Sequence, residues 1–231
     1  MLLVSNWKMN LSHAEALTLA DGIGNLNSKF PIVICPSFVH IPDVYNKLKG
    51  KANLIPGAQD CSANGFGAHT GEVSAKMLAE LGCKYVIVGH AEKRKACNES
   101  YEIINQKTIN ALNNQITPII CVGERKKAPI KVTTQQIIDD LKAFPNLAEC
   151  IIAYEPNWAI GSNITPNPQD VLQIICAIKQ SYGEKMQVMY GGSVNEDNVK
   201  LFHNCDLSGF LLGGSSQKIE TFKNLLNALG N

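Results

Sequence analysis

Eight short apolar runs punctuate the chain at intervals of roughly 20 to 35 residues, each bounded by Gly, Pro, Asn or Ser. They are LLVSNW (2–7), IVIC (32–35), NLIPGAQ (53–59), YVIVG (85–89), TPIICVG (117–123), CIIAYE (150–155), QVMYGG (187–192) and GFLLGG (209–214). Near-continuous apolar runs of this length read as strands buried on both faces. Between them, segments such as SHAEALTLADGIGNL and QDVLQIICAIKQSYG carry apolar residues at helical spacing. Both start near residues suited to N-capping, and Gly183 follows the second, as expected just past a helix end. Strand and helix alternate eight times, which implies one parallel sheet.

Eight β/α units in 231 residues, with no Ser/Gly-rich or charged linker between them, predict a single domain over 1–231. The architecture they fit is a closed eight-stranded parallel (β/α)8 barrel, near the short end of that fold's usual size. A doubly wound open sheet is the rival. It would normally place a glycine fingerprint after the first strand, and SNWKMNLS is not one.

Composition narrows the partners. The 21 basic and 20 acidic residues nearly balance, so no electrostatic footprint for nucleic acid or an anionic membrane stands out. No stretch approaches about 18 uninterrupted apolar residues, and the N-terminus lacks a secretory leader. A cytoplasmic protein with a small-molecule partner is expected. The eight cysteines are scattered without a CxxC pair, and the five histidines show no metal spacing. Neither structural disulfides nor a metal is expected.

In a barrel of this kind chemistry gathers at the carboxyl ends of the strands. Strand one runs into Asn6 and Lys8, strand four into His90, strand six into Glu155, strand seven into Gly191, Gly192 and Ser193, and strand eight into Gly213 and Gly214. Each has an ordinary alternative: a solvated lysine, a capping histidine, a carboxylate satisfied at a strand end, glycines in turns. Their convergence on one rim favours a site. A carboxylate at 155 can remove a proton from a carbon next to a carbonyl, if the developing oxyanion is stabilised by Lys8, Asn6 and His90. Backbone N–H groups of the glycine-rich ends of strands seven and eight suit a phosphate. Residues 156–166, opening with Pro156 and Trp158 and continuing AIGSN, read as a lid that would exclude water from the intermediate. A small phosphorylated carbonyl compound is the expected substrate class.

Taken together, NWKMN (6–10), VGH with Glu92 (88–92), CVGE (121–124), AYEP with WAIG (153–161) and YGGSV (190–194) resemble the triosephosphate isomerase family along the whole chain. The resemblance implies a TIM barrel that interconverts dihydroxyacetone phosphate and glyceraldehyde 3-phosphate in glycolysis and gluconeogenesis, without cofactor or metal. It implies Glu155 as the base, His90 as a neutral electrophile, Lys8 as the substrate-binding cation and Asn6 as a further polar contact, with Glu92 in support. Gly161, Ser193, Gly213 and Gly214 match phosphate-gripping positions. The family is itself the standard example of a helix N-terminus keeping a catalytic histidine neutral, and AEKRKACNES after His90 can begin such a helix. A homodimer is implied too, since CSANGFGAHTGEVS (61–74), with Thr70 near its tip, resembles the loop that reaches into the neighbouring subunit.

The chain departs from the family pattern in places. Ala91 stands where a serine usually holds the resting carboxylate, PNW replaces PVW, and GSNIT replaces GTGKT, which places Asn157, Asn163 and Ile164 in the lid. The chain also looks trimmed between Cys121 and Glu155 and again before Ser193, which predicts shorter outer helices or loops. Two other functions compete: a phosphate-binding barrel isomerase of a larger phosphorylated sugar or an amino-acid precursor, and a retired barrel scaffold that binds phosphometabolites or protein partners without turnover.

Overall fold

The computed structural model describes residues 1–162 and 164–231. Asn163, one of the lid departures, lies outside the described residues. Eight parallel strands close on themselves in chain order: β1 Leu2–Asn6, β2 Ile32–Cys35, β3 Leu54–Ala58, β4 Tyr85–Val88, β5 Thr117–Val122, β6 Ile151–Tyr154, β7 Gln187–Gly191 and β8 Gly209–Leu212. Each matches one of the eight apolar runs. Closure is made where β1 pairs with both neighbours, Leu3 opposite Ile32 on β2 and opposite Phe210 on β8.

The helices described are α1 His13–Gly24, α2 Ile41–Leu48, α3 Ala75–Glu80, α4 Ala91–Cys97, α5 Tyr101–Asn113, α6 Ile130–Leu141, α7 Pro168–Tyr182 and α8 Ile219–Ala228. Local chemistry sets their ends. Ser12 and Glu15 form a reciprocal capping box at the start of α1. Asn167 caps α7 ahead of Pro168 at its first position, and Gly183 ends it at φ 116°, a conformation costly for other residues.

The alternation is less regular than eight equal units. Two helices, α4 and α5, fill the β4–β5 crossover, α3 has six residues, and among the described residues the β7–β8 crossover holds a 3₁₀ turn, Val199–Phe202, in place of an α-helix. The cause is local. Asn195 Oδ1 accepts the N–H groups of Asp197 and Asn198, and Asn198 Oδ1 accepts that of Asn195. Such side-chain bonds compete with a helical ladder. Phe202 then covers the barrel there, stacked on Tyr190 at 4.5 Å between ring centres.

Two apolar layers result. Val4, Val33, Ile87, Ile119, Ile151 and Met189 belong to a cluster that fills the barrel interior. Leu3, Ile32, Val86, Ile120, Ile152 and Val188, one residue away on the same strands, pack against the helices. This strict alternation is what brings chosen side chains to the mouth.

Candidate active site

The inward parity of β6 runs Ile151, Ala153 and then Glu155. That of β1 runs Val4 to Asn6, that of β7 Met189 to Gly191, and that of β8 Leu211 to Gly213. A period of two therefore delivers a carboxylate, a carboxamide and two glycines to the carboxyl end of the barrel. Gly191 leaves room for its neighbour: a Cβ there would lie 2.7 Å from Glu155 Cγ.

Lys8 leaves β1 in the left-handed region, at φ 53°. For a residue other than glycine this costs about 1–3 kcal/mol and persists only where surrounding contacts enforce it. Three contacts do so. The Lys8 N–H donates to Asn6 Oδ1 at 3.0 Å, and its carbonyl accepts from Ser37 Oγ at 3.0 Å and Gln59 Nε2 at 2.8 Å. Gln59 also donates to the carbonyl of Cys35, so the ends of β1, β2 and β3 meet on one carboxamide. The Lys8 ammonium is held 2.5 Å from Glu92 Oε1.

His90 caps α4, its Nδ1 accepting the Glu92 backbone N–H at 3.3 Å. A nitrogen that accepts carries no proton, so the hydrogen of this neutral ring is on Nε2. Nε2 faces Glu155 Oε1 at 3.6 Å. Asn6, His90 and Glu155 are all at least nine-tenths buried. Glu155 Oε2 has no hydrogen-bond partner among the described residues, and Ala91, where a serine hydroxyl was the family expectation, offers only a methyl. Burial and then the adjacent Glu155 charge push the Cys121 thiol well above its ordinary range, so it sits beside the carboxylate as an uncharged group.

Lys8, Gly161, Gly192, Ser193, Gly213 and Gly214 line one cavity of about 350 Å³. Lys8 also lines a second, of about 700 Å³, with Asn6, His90 and Glu92. One cation thus stands between an anion-sized recess and the polar groups of the mouth. Ile160 and Gly161 of the segment 156–162 line the first of these cavities. Trp158 Nε1 donates to Glu124 Oε1 at 2.6 Å, Tyr154 donates its hydroxyl to the same carboxylate, and Ser193 Oγ donates to the Ala159 carbonyl at 2.6 Å. Burial raises the Glu124 carboxyl, and the hydrogen bonds from Trp158 and Tyr154 oppose that rise.

Thr70 does not join these groups. It is exposed on a segment, closed at its base where Ser62 N–H donates to the Val73 carbonyl, whose residues 64–72 are all exposed. Among the described residues no group of three or more His, Cys, Asp or Glu is placed to hold a metal ion. The sequence reading did not single out Ser37, Gln59 or Asn198. Gln59 stands at a strand end and was open to the same reasoning as Asn6; Ser37 and Asn198 lie in crossovers, where periodicity carries no signal.

A base facing an imidazole N–H beside a cation and a glycine-lined recess is suited to moving a proton between adjacent carbons of an anionic carbonyl compound. The protein is therefore an isomerase built on a TIM barrel. The model of the triosephosphate isomerase family matches residues 1–229. The chain is 39% identical to the triosephosphate isomerase of Cutibacterium acnes, covering 97% of this chain and 96% of that protein. It is 38% identical to that of Endomicrobium trichonymphae, with 97% of each chain covered, and 35% identical to that of Caldanaerobacter subterraneus, with 98% of each covered. The chain belongs to the triosephosphate isomerase family. Its alignment with the Cutibacterium protein runs over 249 positions although this chain has 231 residues, so the alignment includes gaps in this chain.

Proposed function

We propose that this enzyme interconverts dihydroxyacetone phosphate and D-glyceraldehyde 3-phosphate through an enediolate, with the residues in the following roles. Glu155 takes the proton from the carbon beside the carbonyl and returns it to the neighbouring carbon. Neutral His90 donates from Nε2 to the oxygen on which charge develops and takes the proton back as the carbonyl moves to the next carbon. Lys8 balances the negative charge of substrate and intermediate, held in place by Glu92, and Asn6 fixes the Lys8 backbone and adds a polar contact. The phosphate is gripped by backbone N–H groups at Gly161, Ser193, Gly213 and Gly214.

The observation that carries this reading is the pairing of Glu155 Oε1 with His90 Nε2 at 3.6 Å, in a tautomer set by the backbone of α4. A retired scaffold would have no reason to keep a strained lysine beside such a pair. The test is conversion of glyceraldehyde 3-phosphate by purified protein with Glu155→Asp alongside. Fast turnover that collapses in the variant supports the roles, and a folded protein without turnover overturns them.

The same reading takes residues 1–231 as one cytoplasmic domain, with no helix described here long and apolar enough to cross a membrane. It pairs the chain with a second copy. Phe66 and Thr70 stand exposed on the 61–74 loop, and exposed Met9, Phe38 and Val39 line the cavity that contains Asn6 and His90. Those groups suit one another across a two-fold interface. Sedimentation of the protein at micromolar concentration should give twice the chain mass; a monomer with full turnover would remove the dimer from the proposal.

A further inference from the structure

We propose that Asn198 is a positioning residue that ties the far end of the lid to the phosphate-gripping loop, so that anion binding and lid position act as one event. The inference rests on the isomerase and lid readings above and adds a residue to neither the chemistry nor the phosphate contacts.

Asn198 follows β7 and is 8% exposed. Its Nδ2 donates to Thr165 Oγ1 at 3.0 Å and to the Ser193 carbonyl at 2.7 Å, while its Oδ1 accepts the Asn195 N–H at 3.0 Å. Both N–H bonds of the carboxamide are thus used, one on the lid and one on the loop. Thr165 supplies the acceptor, a side-chain hydroxyl at the end of the lid, just before Pro166 and three residues before Pro168 opens α7. At the other end of the lid, Ser193 Oγ donates to the Ala159 carbonyl. A single loop therefore holds both ends of the lid, through Ser193 directly and through Asn198. When Ser193 and Gly192 engage a phosphate, any shift of their peptide groups is passed by the Asn198 carboxamide to Thr165. The tie is worth little to a substrate that lacks the phosphate.

The experiment compares turnover of glyceraldehyde 3-phosphate and of D-glyceraldehyde by the parent, Asn198→Ala, Thr165→Val, the double variant and Thr165→Ser, with thermal midpoints. Loss of one such hydrogen bond corresponds to a fall of up to about tenfold. We expect each single variant to lose about that factor in kcat/KM for the phosphorylated substrate, with the slow turnover of D-glyceraldehyde unchanged. The double variant should lose no more than either single one, and Thr165→Ser, which keeps the hydroxyl, should match the parent. Equal losses on both substrates, no loss on either, or additive losses would assign Asn198 to the fold alone and overturn the proposal. If Asn198→Ala does not fold, Thr165→Val against Thr165→Ser decides by the same two substrates. A folded parent without turnover of glyceraldehyde 3-phosphate is a different failure: it removes the isomerase reading, and this proposal with it.

Discussion

His90 Nε2 and Glu155 Oε1 stand 3.6 Å apart across the mouth of the barrel, both residues more than nine-tenths buried. No substrate atom fits in a space of that size, so the two must part to admit a substrate, whose carbon would face the group that accepts a proton and whose oxygen the group that donates one. The backbone of α4 sets the tautomer and the inward parity of β6 sets the carboxylate. Neither partner depends on the other for its position, so each can be altered and read separately.

Glu155→Asp draws the carboxylate back by one methylene while leaving its charge. A misplacement of about 1 Å in a reacting group costs on the order of 10²-fold or more. Turnover should fall by about two to three decades with the fold and substrate binding kept. A kcat within tenfold of the parent would remove Glu155 from the role of base.

Ala91→Ser brings a hydroxyl to the cavity wall that Ala91 shares with Glu155, where Oε2 has no partner. A hydrogen bond gained there should stabilise the unliganded protein by about 0.5–1.5 kcal/mol, seen as a rise in thermal midpoint. Because that bond must break when the carboxylate swings to substrate, KM should not improve. A lower midpoint would show that the serine finds no partner in this chain.

Lys8→Gly separates stability from activity. Glycine accepts φ 53° without strain, which returns about 1–2 kcal/mol, less the greater backbone freedom of glycine when unfolded, about 0.5–1 kcal/mol. The lost pair with Glu92 is small, since the Glu92 side chain is 57% exposed. Denaturant unfolding should therefore show stability equal to the parent or slightly higher, while kcat/KM drops by more than about 10²-fold for want of the cation. A strongly destabilised variant would mean that the ammonium, not the backbone, holds this turn.

Glu124 makes stability depend on pH in a defined direction. Burial raises its carboxyl above the ordinary range, so its protonated form favours the fold. That contribution is complete below the unfolded value near 4.5 and is lost as pH rises through the raised folded value. Glu124→Gln keeps an acceptor for Trp158 Nε1 without the charge. Its stability relative to the parent should rise as pH goes from about 4 to 7; a difference that is flat with pH would contradict the assignment.

Much of the fold was legible because burial on both faces of a parallel strand writes itself as an apolar run, and closure follows from counting eight of them. The crossovers were less legible. The β7–β8 segment reads as one more β/α unit by spacing, yet Asn195 and Asn198 divert it into side-chain turns, a choice between nearly equal local alternatives. In the site, Asn6, Lys8, His90 and Glu155 could be placed on one rim because each ends or closely follows a strand. Gln59 meets Lys8 across 51 positions and Cys35 across 24, and no pattern of spacing announces such a meeting.

The amino-acid order alone determined the eight strands, the arrival of Asn6 and Glu155 at the carboxyl ends of two of them, and the glycines of β7 and β8. These depend on periodicity and on backbone freedom, which are local. Only the tertiary structure decided which nitrogen of His90 bears the proton, that Lys8 is held in a strained conformation by Ser37 and Gln59, and that Asn198 joins Thr165 to Ser193. Those outcomes come from directional hydrogen bonds between groups distant in the chain, and their partners exist only once the barrel has closed.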